Sequence, residues 1–405
     1  MTNKPSVYFD YAATTPCDAS VLKAMEPYWN ECFGNPHSRS HAYGWDAESA
    51  VERARTQVAW AINAQSDEVI FTSGATEANN LAIKGFVLGP NMPKNKKKIL
   101  TFATEHKCVI ESFRFLKSMG FEVKILPVLS NGLVDLDMLE NELDDAAFLS
   151  IMYINNETGV VQDIGAISKM CRAKGVCLHV DAAQAVGKIP VNARDVDLLS
   201  ISGHKLYGPK GIGALFVSKS PRVRIASLFS GGGQERGMRS GTLPTVLCVG
   251  LGAAVELTLE RMKEDFERAQ HFQQQVIDQV INKLPEVYIN GAIDSKIPHI
   301  LNISVPYVEG ESLIMRMHEF ALSSGSACTS KSLEPSHVIR AMHPDNEDLA
   351  HSSLRVCFGR QTKAEDVDAL IRALQKHIEE LRSLSPLWSM VQKGIDLKTI
   401  NWQAH

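Results

Sequence analysis

Between Val69 and Val217 the sequence alternates short apolar runs with stretches of helical spacing, and few folds accept that rhythm. The runs Val69–Thr72, Ile99–Ala103, Glu122–Leu126, Phe148–Ile154, Val176–Val180, Val196–Ile201 and Ile212–Val217 are strand-sized. Helical stretches separate them: one opens on Gly74-Ala75, and others span Val109–Ser118, Leu136–Leu143 and Ile164–Ala173. Apolar, uninterrupted strands joined by helices predict an α/β fold, with a mostly parallel sheet covered on both faces. In such a sheet ligands sit beyond the carboxyl ends of the strands.

Those ends carry Gly74-Ala75-Thr76, Thr104-Glu105-His106, Asn155-Asn156, Asp181-Ala182-Ala183-Gln184 and Ser202-Gly203-His204-Lys205. A helix that opens on glycine suits phosphate, because its first N–H groups are unpaired and its dipole end is positive. Lys205, on a loop between two apolar runs, can form a Schiff base with a carbonyl cofactor such as pyridoxal phosphate, and the neighbouring serine and histidine can bind its phosphate. Taken singly, each of these residues reads as well as a polar turn or a satisfied core side chain. Their concentration at one sheet edge is what points to a site.

Around this core, Val7-Tyr8-Phe9 reads as a short strand before the turn-rich segment Asp10–Pro16, and helices are expected from Asp18 to Trp29 and from Asp46 to Ile62. Past the glycine-rich segment 231–242, an apolar helix over Leu243–Val255 and a separate charged helix over Leu257–Leu284 are expected. A smaller α+β unit follows, with strands near Val287–Ile289, Ile300–Val305 and Leu354–Phe358 and helices near Glu311–Phe320 and Ala364–Leu384. The expected division is a large cofactor-binding domain over 16–262 and a small domain made of 1–15 and 263–405.

A net charge of −4 without a broad basic stripe argues against direct contact with nucleic acid. No run of eighteen apolar residues occurs, so no membrane span is expected. Met1–Pro5 has neither an apolar signal core nor an arginine-rich pattern, which leads us to expect a cytoplasmic protein, or one of the mitochondrial matrix if a presequence has been removed. Eight cysteines without a CxxC pair read as reduced thiols.

Ser202-Gly203-His204-Lys205, Thr104-Glu105-His106, His179–Gln184, Arg236–Thr242 and Ser323–Cys328 together resemble the cysteine desulfurases of the IscS/Nfs1 type, in the class V aminotransferase group of pyridoxal-phosphate enzymes (fold type I); the likeness runs from Val7 to Trp402. The resemblance implies that Lys205 holds the cofactor and then acts as base at Cα. Asp181 would pair with the pyridinium nitrogen, Gln184 and Asn156 would bond near the phenolic oxygen, and His106 would stack on the ring and handle protons. Ala75, Thr76, Ser202, Gly203 and His204 would bind the phosphate, joined by Thr242 from the second subunit of a homodimer. Arg355, with Asn156, would bind the substrate carboxylate.

Cys328, among small polar residues, would take sulfur from L-cysteine as a persulfide and leave alanine. Delivery would serve iron–sulfur (2Fe-2S) assembly and tRNA thiolation, through a scaffold of the IscU type and frataxin-like, ferredoxin and TusA-like partners. Through its persulfide, Cys328 would also be a transient iron–sulfur ligand shared with the scaffold. The tail from Ser385-Pro386-Leu387-Trp388 to Trp402 resembles the scaffold-docking part, and His343–Asp348 is a residue longer and more polar than the family pattern.

Overall fold

The computed structural model describes residues 7–324 and 335–395. Its strands are β1 Val7–Tyr8, β2 Val69–Thr72, β3 Lys98–Phe102, β4 Glu122–Leu126, β5 Ala146–Met152, β6 Cys177–Asp181, β7 Leu198–Ser202, β8 Gly213–Val217, β9 Tyr288–Ile289, β10 Ile300–Ser304, β11 Phe320–Ala321 and β12 Ser353–Cys357. Seven of them form one sheet in the order β2-β8-β7-β6-β5-β3-β4, in which only β8 runs antiparallel to its neighbours. The mostly parallel sheet expected from the sequence is present.

Successive strand residues face opposite layers, which explains why the strands are apolar on both alternations. Leu199, Ile201, Ala214, Phe216, Leu149 and Ile151 pack with Val51, Val58 and Leu251 on one side. Leu198, Leu215, Val217 and Phe148 pack with Leu81, Phe86, Val109 and Phe113 on the other. Each such side chain contributes about 1.5–3 kcal/mol by leaving water, so the two layers, more than helix propensity, hold the helices in place. The edge strand β4 is half exposed, and Lys124 on it pairs with Glu142. A charged edge of this kind discourages pairing with another chain.

The two helices expected after residue 242 are one. Thr245–Val276 runs 32 residues without a break. The change from apolar to charged residues near Glu256, which still accepts from Gln57 of helix Ala42–Ala61 at 2.9 Å, falls inside the helix and does not end it. Gly252 serves contact there, since a Cβ would fall 2.8 Å from the Cα of Ala54 on helix Ala42–Ala61. The expected helix Glu311–Phe320 also shortens, to Gly310–Arg316, and Phe320–Ala321 instead pairs in parallel with β1.

Phe9, just after β1, thereby joins a second core with Val276, Leu301, Ile303, Leu354, Val356, Phe358 and Leu370, beneath a three-stranded antiparallel sheet ordered β12-β10-β9. The polar stretch His343–Asp348 forms the link after helix His337–Met342 and the first two residues of helix Glu347–His351. At the described end of the chain, the Arg382 guanidinium lies 4.3 Å over the Trp388 ring.

One buried ion pair ties the glycine-rich segment to the sheet. Arg55, 3% exposed, reaches both carboxylate oxygens of Glu235 at 2.7 Å. Glu235 also accepts from the Phe71 amide on β2 at 2.6 Å. A bidentate, dry pair with an extra donor leaves the carboxylate well satisfied.

Candidate active site

The carboxyl ends of β2, β3, β5, β6 and β7 open into one cavity of about 530 Å³. Ala75, Thr76, His106, Asn156, Asp181, Gln184, Ser202, His204, Lys205 and Arg355 all line it. Ala75 and Arg355, 280 positions apart in the chain, the one following β2 and the other on β12 of the three-stranded sheet, thus border one cavity.

At β2, Gly74 adopts φ 147°, a conformation that favours glycine, and β8 passes so closely that a Cβ on Gly213 would lie 2.7 Å from the Gly74 Cα. The helix Ala75–Val87 therefore starts on a residue that supplies no side-chain cap. Its first N–H groups face the cavity as an anion site. Glu77 in that first turn is engaged elsewhere, accepting from the Ser73 amide at 2.7 Å and from Arg239 Nε at 2.8 Å.

Ser202 ends β7, and Gly203–Lys205 forms the short turn that presents His204 and Lys205. The His204 ring meets the Thr14 hydroxyl at 3.0 Å, and burial, then Lys205, pushes its pKa down to about 4. It is a neutral ring near pH 7. Lys205 Nζ donates to the carbonyls of Ala12 at 2.5 Å and Ala13 at 2.7 Å.

Asp181, at the end of β6, is 3% exposed. Its Oδ2 accepts from Asn79 at 2.6 Å and its Oδ1 from the Ala183 amide at 3.0 Å. Both donors are neutral, which makes a positively charged N–H in the cavity a natural third partner. Across the cavity, His106 Nδ1 accepts the Cys108 amide at 3.2 Å, capping helix Lys107–Ser118. Burial lowers the His106 pKa, with Asp181 opposing. A neutral ring whose Nδ1 accepts carries its proton on Nε2.

Arg355 enters from β12 and is 2% exposed. Its Nη2 lies 2.6 Å from Asp10, its Nη1 donates to the Asn156 carbonyl at 2.8 Å, and its Nε has no partner among the described residues. Donor capacity is left for an anion in the cavity.

The sequence reading missed Ala12 and Ala13 as holders of Lys205, Asp10 as partner of Arg355, and Asn79 as partner of Asp181. Asp10–Pro16, a polar turn segment directly after a strand, carried a faint signal; Asn79 carried none, being one of several polar residues in a helix. Thr242 is exposed and does not line the cavity of this chain. Gly203 is buried behind it. Cys328 lies outside the described residues. No group of three or more metal-ligating side chains occurs among the described residues, and no described helix is long and apolar enough to cross a membrane.

This donor set fits pyridoxal phosphate: an uncapped helix start with Ser202 and His204 for the phosphate, a buried carboxylate for the ring nitrogen, and a lysine amine within the same cavity. Comparison with known proteins agrees. The family Aminotransferase class-V matches residues 7–370. The mitochondrial cysteine desulfurase of Drosophila melanogaster is 54% identical over 98% of this chain and 86% of its own length. The cysteine desulfurase IscS of Rickettsia bellii is 52% identical over 98% of this chain and 97% of its own. Among solved structures, a NifS-like protein superposes with a TM-score of 0.84 at 34% identity, covering 94% of this chain and all of its own. With its fold, its cavity and its relatives in agreement, the chain belongs to the class V aminotransferase family and, within it, to the cysteine desulfurases.

Proposed function

We propose that this chain removes sulfur from L-cysteine, giving L-alanine and a persulfide on Cys328. The observation that carries this reading is the convergence of Lys205, Asp181, His106 and Arg355 on one cavity with an uncapped helix start. Arg355 binds the substrate carboxylate with its remaining N–H groups, beside Asn156. With substrate bound, the Lys205 amine would take the Cα proton and could return one when alanine forms. Bound pyridoxal phosphate supplies an electron sink for the pair left at Cα. Asp181 would keep the ring nitrogen protonated, and Gln184 would donate near the phenolic oxygen. His106, which lines the same cavity, would stack on the ring and handle protons.

The thiolate of Cys328 attacks the substrate sulfur: an S–S bond forms, the C–S bond breaks, and its electron pair stays on carbon, where protonation completes alanine. The sum is one thiol and one cysteine in, one persulfide and one alanine out, with no external oxidant. We assign Thr242 to the phosphate site of a second subunit, which makes a homodimer the working unit. We further assign Cys328 to the smaller unit, dividing the chain into 16–262 against 1–15 and 263–405.

The persulfide serves iron–sulfur assembly through a scaffold of the IscU type docking near the tail that starts at Ser385, with frataxin-like, ferredoxin and TusA-like partners and tRNA thiolation downstream. Relatives named from a mitochondrion and from a bacterium are compatible with either compartment; we favour a bacterial cytoplasm. The test is incubation with L-cysteine, followed by alanine release and intact mass for the wild type, Cys328→Ala and Lys205→Ala. A persulfide on a peptide lacking residue 328, or alanine release unchanged by Lys205→Ala, overturns the proposal.

A further inference from the structure

Lys188 is an amine that the mechanism above does not use. It lies four residues after Gln184, its stem is partly exposed, and its amine turns inward. Nζ donates to the Gln184 side-chain oxygen at 3.0 Å, to the Gln184 carbonyl at 3.2 Å and to the Lys205 carbonyl at 3.5 Å. An ammonium has only donors, so the atom of the Gln184 amide that faces it is the oxygen. The amide nitrogen then points the other way and donates to the Ala12 carbonyl at 2.9 Å. That carbonyl also accepts from Lys205 Nζ. One N–H of Gln184 remains, and Gln184 lines the cavity.

We propose that Lys188 is a positioning residue: it fixes the Gln184 amide with its N–H side toward the cavity and ties the main chain of Gln184 to that of Lys205. The inference rests on the reading that Gln184 donates to the phenolic oxygen of the bound cofactor. An amide turned over would offer that oxygen a carbonyl, and a donor would be replaced by a repulsive contact. Lys188 Nζ thus reaches both Gln184 and the Lys205 main chain.

The groups facing the amine are Lys205, His204, His299 and Cys357, with Asp265 on the wall of the small cavity that Lys188 shares with Lys205. Burial first, then Lys205, lowers the Lys188 pKa to about 7, against Cys357. Below that pH Lys188 is an ammonium with three donors; above it the amine carries little charge but keeps two N–H groups for the two Gln184 oxygens, so its influence should pass through Gln184.

The experiment is a double-mutant cycle on the holoenzyme with Lys188→Met and Gln184→Met, reading the pH midpoint of the visible absorbance of the bound cofactor alongside kcat and KM for cysteine. Lys188→Met keeps the stem volume and removes a buried amine, and Lys188→Leu is the second apolar variant. Each single change is expected to raise the midpoint by about half a pH unit or more, because each removes a donor that favours the anionic oxygen. In the Gln184→Met background the added effect of Lys188→Met should fall to about a third or less, the mark of two residues acting as one unit. A midpoint unmoved by either Lys188 variant, or a full additive shift, overturns the inference. If Gln184→Met itself leaves the midpoint in place, the reading of Gln184 falls, and the inference with it.

Discussion

Two arginines of this protein are almost equally buried and do opposite things. Arg55 spends its terminal nitrogens on both oxygens of Glu235 and on the Val69 carbonyl, with Glu52 on Nε. Arg355 has one partner on each terminal nitrogen and none described on Nε, and it borders a large cavity. Burial is the same; saturation differs. A buried cation whose donors are filled is a structural tie, whereas one that keeps donors unused and borders a cavity is prepared for an anion. Glu105 shows a third outcome: among the described residues its carboxylate accepts only from the Met152 amide, its Oε2 has no described partner, and burial raises its pKa well above the carboxylate range.

The comparison is tested first where the effect is largest. Lys205→Ala, in the cavity, should reduce alanine release by about 10³-fold or more while the thermal midpoint stays close to wild type, because an amine bonded to two loop carbonyls contributes little to the core. Arg55→Met should do the reverse, costing about 3–5 kcal/mol in denaturant unfolding by stranding Glu235, with KM little changed. Equal loss of activity and stability in both variants would erase the distinction drawn here.

Arg355→Lys should raise KM for cysteine by about 10–100-fold, since an ammonium cannot reproduce the planar fork. An unchanged KM would place the substrate carboxylate elsewhere. For Glu105 the folded-state pKa is raised above its unfolded value, so its contribution to stability is full below about pH 4.5 and is lost as pH rises toward the folded pKa. Glu105→Gln should flatten that decline in unfolding free energy measured against pH; an identical decline would show that another group causes it. At the small end, Arg114→Ala breaks an exposed pair with Glu111 and should change stability by no more than about 0.5 kcal/mol.

Much of the site was legible before any coordinates. Lys205, Asp181, His106 and Asn156 each lie on the loop that follows an apolar run, and the rule that ligands gather at carboxyl ends places them together without knowledge of strand order. The partners that fix their orientation were not legible. Asp10, Ala12 and Ala13 act through a carboxylate and two carbonyls on a segment that reads only as a turn, and carbonyls carry no residue-type signature. Asn79 reaches Asp181 because helix Ala75–Val87 lies across β6, a contact between positions 102 residues apart. The helix break expected near Glu256 failed for a related reason: composition changes where packing changes, and the backbone continues.

The sequence by itself determined the layered α/β architecture, the strand ends that carry chemistry and the family to which those motifs belong, because periodicity and side-chain type are local properties. Only the tertiary structure decided which buried ions are saturated and which keep donors beside the cavity, that β1 pairs with β11 and brings Phe9 into the second core, and that Lys188 stands behind Gln184 and Lys205. These depend on distances between residues far apart in the chain, and a hydrogen bond is a matter of tenths of an ångström that no spacing along the sequence can express.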